Sequence, residues 1–86
     1  MVRIWAKIVK DDKILNQCIF ERFEKIDYSK FFDYVQCICE KLDCPTPIII
    51  KTHIFNYAKY NVVKFTKDDF VENISFDKLI LENAFL

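Results

Sequence analysis

Ser29-Lys30-Phe31-Phe32-Asp33-Tyr34-Val35-Gln36-Cys37-Ile38-Cys39-Glu40-Lys41-Leu42 is the stretch on which the fold turns. Wound at about 100° per residue, it gathers Phe31, Phe32, Val35, Ile38, Cys39 and Leu42 into one broad apolar stripe, with Tyr28 at its start. Lys30, Asp33, Gln36, Cys37, Glu40 and Lys41 fill the remaining arc. This is an amphipathic helix that needs a flat partner. Asp27 or Ser29 supplies its N-cap. Cys44-Pro45-Thr46-Pro47 ends it, since neither proline can continue a helix.

Upstream, the apolar period drops from 3.6 to two. Val2, Ile4, Ala6 and Ile8 share one face of a strand, and Arg3, Trp5, Lys7 and Val9 share the other. Asp11-Asp12-Lys13 is a polar break, and residues 14–22 form a second strand. A three-residue turn places Ile14, Cys18 and Phe20 on the face of Ile4, Ala6 and Ile8. The opposite face then carries Trp5, Val9, Leu15 and Ile19 among Arg3, Lys7, Gln17 and Glu21.

Downstream, Ile48-Ile49-Ile50 predicts a central strand over 48–52, buried on both faces. In 53–61 the spacing of Ile54, Tyr57 and Ala58 is helical, but the segment is short and stays ambiguous. Residues 61–65 read as a strand, Thr66-Lys67-Asp68-Asp69 as a short helical turn capped by Thr66, and 74–81 as a last strand. The expected fold is a single two-layer α+β domain over 1–86. Its mainly antiparallel sheet of four to five strands carries one long helix. The order is strand, strand, helix, strand, short helix, strand, strand.

Composition sets the outer bounds. With 86 residues, 52% of them hydrophobic and nine Phe among them, there is one dense core and no room for a second. The chain contains no Gly, so positions of positive φ fall to Asn or Asp, with Asp12, Asn61 and Asn73 the candidates. The same absence excludes every glycine-dependent phosphate loop. Thirteen basic residues balance thirteen acidic ones and the two are interleaved, so no nucleic-acid partner is expected. The longest apolar run is far short of a bilayer span, and Arg3 and Lys7 interrupt any signal-peptide core. A cytoplasmic protein without a membrane role is expected.

No chemistry assembles from the remaining residues. Four Cys without a secretory signal read as free thiols. Cys37 and Cys39 point to nearly opposite sides of the helix, which makes Cys37 the exposed thiol and buries Cys39, with Cys18 buried on the inner strand face. Cys37, Cys39, Cys44 and His53 lack the paired spacing that zinc takes. A strand between Cys44 and His53 would hold them roughly 20 Å apart, too far for a catalytic dyad. Asp68-Asp69 suits a helix start and Asp11-Asp12 a turn. No catalytic residue, cofactor or metal ligand is nominated, and the chain is read as a non-enzyme. The hairpin's outward face is the candidate interface: Trp5, Val9, Leu15 and Ile19 are apolar anchors rimmed by charge. The leading expectation is a small protein-interaction module, its partner another protein or a second copy of itself. The alternative is a thiol- or metal-responsive regulator built on Cys37, Cys44 and His53.

The C-terminal half resembles a group of short bacterial proteins of unknown function. The residues that carry the resemblance are Cys44-Pro45-Thr46-Pro47-Ile48-Ile49, Phe65-Thr66, Asp69-Phe70 and Phe76-Asp77-Lys78-Leu79. They cover about half the chain and include no catalytic signature. The resemblance implies a standalone bacterial protein and carries over no activity.

Overall fold

The computed structural model describes residues 1–84. Strands β1 (Val2–Lys10) and β2 (Lys13–Arg22) pair antiparallel, with Ile4 opposite Phe20, Trp5 opposite Ile19 and Ala6 opposite Cys18. Asp11 and Asp12 turn the chain with φ of 51° and 63°. Two left-handed residues give the turn whose twist matches a hairpin. The turn therefore has two residues, not three, and Lys13 joins the ladder opposite Lys10, with Ile14 opposite Val9. The register then slips once: Asn16 faces Ile8, and Leu15 is left over as a bulge. Ile14, expected inside, is consequently on the outer face and 48% exposed. Cys18 and Phe20 keep the inner face because the extra residue restores their phase.

Beyond the hairpin, Asp27 caps a 3-10 turn over Tyr28–Lys30, its Oδ1 accepting from the Ser29 N–H at 3.0 Å and the Ser29 hydroxyl at 2.7 Å. Helix α1 (Phe31–Leu42) follows and buries Phe31, Tyr34, Val35, Ile38, Cys39 and Leu42. Phe32, expected on that stripe, is half exposed, and Tyr34 takes its place. The Tyr34 hydroxyl donates to Glu24 Oε2 at 2.9 Å and accepts from the Asp27 N–H at 3.2 Å, so the buried ring keeps its polar end satisfied.

Residues 48–52 do not form the expected central strand. Ile48 and Ile50 are more than half exposed, while Pro47 is buried and Ile49 packs on the core. Their backbone donors are spent on joints: Ile48 N–H bonds to the Asp69 carbonyl at 2.7 Å, and Ile50 N–H to His53 Nδ1 at 3.0 Å. The ambiguous segment is a second helix, α2 (Lys51–Tyr60), which buries His53 and Tyr57. Strand β3 (Val62–Thr66) leads into a 3-10 turn over Lys67–Asp69, where Asp69 Oδ2 accepts the Thr66 N–H at 2.8 Å. Strand β4 (Lys78–Asn83) closes the fold.

The four strands form one antiparallel sheet in the order β2-β1-β4-β3. Helix α1 packs against β2, and α2 against β3 and β4. The core between the layers joins Ile4, Ala6, Phe65, Leu79 and Leu81 of the sheet to Phe31, Val35, Ile38 and Tyr57 of the helices. The two-layer α+β architecture stands with four strands among the described residues; the expected strand over 48–52 is absent, and the short helix expected after it is α2, which begins at Lys51. Among the described residues no helix is long and apolar enough to cross a membrane.

Candidate functional site

Alternation makes the sheet two-sided. One face is buried under the helices; the other carries no helix among the described residues. Register places that outer face in rows. Ile19, Trp5, Glu82 and Val62 form one, and Gln17, Lys7, Ile80 and Lys64 the next. Ile14, Val9, Lys78 and Thr66 form a third. The C-terminal strand β4 lies beside β1, with Glu82 opposite Trp5, and does not roof it.

Trp5 is held from two sides. Its indole Nε1 donates to Gln17 Oε1 at 2.9 Å, and Lys7 Nζ sits 3.8 Å from the ring centroid. Arg3 Nε meets Glu21 Oε2 at 2.8 Å alongside. An aromatic ring fixed in this way loses little entropy on contact, which is what an interface anchor needs. The face is also electrically biased. It carries the cations Arg3, Lys7, Lys64 and Lys78 against the carboxylates Glu21 and Glu82, on a chain of zero net charge.

Three of the four expected interface residues fall on this face, Trp5, Val9 and Ile19, but Val9, expected as an anchor for a partner, is buried at 7% exposure. Leu15 does not fall on it. The bulge turns it toward the helix side, where it lines a recess with Ile8, Leu42, Ile74 and Phe76. Ile14 stands beside Val9 in its stead, and Val62 and Ile80 join from strands across the sheet. The alternation of β3 and β4 carried the signal for those two. Nothing in the sequence marked the bulge.

Edge strand β2 is protected along its free side. Gln17 N–H is taken by Asn16 Oδ1 at 2.9 Å, and the Ile19 carbonyl accepts from Lys41 Nζ at 3.4 Å. Occupied edge groups discourage strand addition.

All four cysteines are free thiols. Cys37, expected exposed, is half-buried because it packs at the margin of the core, and Arg22 Nη2 approaches its Sγ at 3.5 Å. Cys18, expected buried, is half-buried, because β2 is an edge strand; Cys39 is buried as expected. Cys44 is half-buried and is tied to Cys39 by its backbone N–H, which donates to the Cys39 carbonyl at 3.0 Å. The Cys39 S–H stabilises a Cys44 thiolate, drawing the Cys44 thiol below the ordinary cysteine range and pushing Cys39 above it, burial adding to the latter.

His53 belongs to another place. Its Nδ1 accepts the Ile50 N–H, so Nε2 bears the proton it presents to Asp69 Oδ1 at 3.4 Å, and its ring lies 4.6 Å from that of Phe65. Cys37, Cys44 and His53 are not brought together, and among the described residues no three His, Cys, Asp or Glu side chains are grouped as metal ligands. Compared with known proteins, the chain matches no family model, no curated protein and no solved structure.

Proposed function

We propose that this chain is a small non-enzymatic protein-interaction module of the bacterial cytoplasm that binds a partner protein across the outer face of its sheet. One observation carries the reading: Trp5 lies ordered on a face that the fold's own helices leave open, among Ile14, Ile19, Val62 and Ile80. Aromatic anchors of this kind, rimmed by charge, concentrate binding energy. The excess of cations on the face favours a partner with a carboxylate-bearing rim. A second copy is the poorer fit, because stacking two such faces sets lysines against lysines.

The test is Trp5→Ala, assayed for partner capture, thermal stability and light scattering. Trp5 contributes one indole hydrogen bond and one cation–π contact at the surface, so its loss should cost only about 1–2 kcal/mol of stability. Capture should fall at least tenfold, and the wild type should scatter as a monomer. A folded Trp5→Ala variant that captures the partner as well as the wild type does would end the proposal.

A further inference from the structure

The C-terminal end of α1 has a second feature with chemistry of its own. Asp43 adopts the left-handed conformation at φ 54°, with its N–H directed at the Glu40 carbonyl at 3.3 Å and the Cys44 N–H at the Cys39 carbonyl at 3.0 Å. This pair of bonds defines the Schellman motif, whose habitual accompaniment is a side-chain contact between the residues joined by the longer bond. Here those residues are Cys39 and Cys44. Standard backbone dimensions then limit their Cα atoms to no more than about 7 Å apart, and a disulfide spans about 4.4–6.8 Å. The helix cap thus holds the two cysteines at about the Cα separation that a disulfide takes. Cys44 is the more accessible of the two, half-buried where Cys39 is 1% exposed.

We infer that Cys39 and Cys44 form an oxidisable dithiol that hydrogen peroxide converts to an intramolecular disulfide. The Cys44 thiolate attacks one peroxide oxygen; the S–O bond forms, the O–O bond breaks, and the departing hydroxide takes up a proton to become water. Cys44 is then a sulfenic acid. The Cys39 sulfur attacks Cys44 Sγ, the S–S bond forms and the S–O bond breaks, and the leaving hydroxide takes the Cys39 proton as a second water. Two thiols have been oxidised and one peroxide reduced. The direction of attack follows from access, since Cys44 is half-buried and Cys39 is 1% exposed, and the lowered Cys44 thiol acts in the same sense. The recess over the pair is lined by Glu40, Asp43 and Glu72. These carboxylates repel anionic oxidants such as oxidised glutathione and leave an uncharged peroxide unaffected.

The experiment uses Cys37→Ser protein, so that residues 31–41 retain one thiol. It is exposed to hydrogen peroxide or to oxidised glutathione, alkylated, and digested with trypsin, which cuts after Arg22, Lys30, Lys41 and Lys51 and so separates Cys18, Cys39 and Cys44. Peroxide should lower the intact mass by two hydrogens and link peptide 31–41 to peptide 42–51. Oxidised glutathione should leave at least tenfold less adduct on Cys44 than the disulfide formed with peroxide. Cys44→Ser, at a half-buried position, should abolish the link. A link from Cys18 to Cys44, over-oxidation of Cys44 without any link, or a link that survives Cys44→Ser would each overturn the inference.

Discussion

Among the described residues four have left-handed backbone: Asp11, Asp12, Asp43 and Asn61, and the expected Asn73 is not one of them. A glycine-free chain must place Asp or Asn wherever a turn or cap requires positive φ, at a cost of roughly 1 kcal/mol each. Asp12 and Asn61 were foreseeable on this ground; Asp11 and Asp43 depended on a turn length and a helix end that single residues do not announce. Asp43→Gly should therefore stabilise the protein by about 0.5–1 kcal/mol, read as a rise in the chemical denaturation midpoint with unchanged slope. The acid response is also set by individual side chains. The Tyr34 hydroxyl holds Glu24 below the usual carboxylate range, with Lys30 assisting, and Ser29 does the same for Asp27 through its hydroxyl and N–H. A carboxyl depressed in the folded state stabilises it above the unfolded-state range, and that contribution disappears as pH falls through the folded value. Glu24→Gln should accordingly be less stable than wild type at pH 7. The difference should shrink toward pH 3 in urea melts across that span.

At the scale of elements, the sequence was most legible where period alone decides. The alternation of β1 and the Thr66 cap stand where their residues put them, and so does the stripe of α1 except that Tyr34 replaces Phe32. Ile48-Ile49-Ile50 misled because a strand is made by a neighbour to pair with, which composition does not display. Its N–H groups instead bind Asp69 and His53, residues whose approach is a tertiary event. The hairpin erred differently. A shorter turn and a bulge at Leu15 compensate, so Cys18 and Phe20 stay inside, Ile19 stays outside, and only Ile14 and Leu15 exchange sides. Hence Trp5, Val9 and Ile19 were legible as one face and the fourth member was not. The His53 joint is the element-scale device most open to test. It ties the start of α2 to the turn after β3 through Ile50 and Asp69. His53→Leu keeps the bulk and loses both contacts, and should cost about 1–3 kcal/mol in thermal melts. His53→Asn, which restores an acceptor, should recover part of that.

For the whole molecule, the decisive asymmetry is between the two faces of one sheet. Both connections that could have roofed the outer face run elsewhere: α1 and α2 lie on the inner side, and β4 extends the sheet in its own plane. The occupied groups on the β2 edge, Gln17 N–H and the Ile19 carbonyl, discourage strand addition on that side of the sheet. What remains is a rigid, cation-bearing surface centred on Trp5, with the Cys39–Cys44 pair at the far end of a helix on the opposite layer. The most direct measurement is residue-resolved NMR of isotope-labelled protein during titration with the captured partner. The largest shift changes should fall on the Trp5 indole N–H, Ile14, Ile19, Val62 and Ile80. Changes confined to α1 and α2, with the Trp5 indole resonance unmoved at saturation, would contradict the assignment of the outer face.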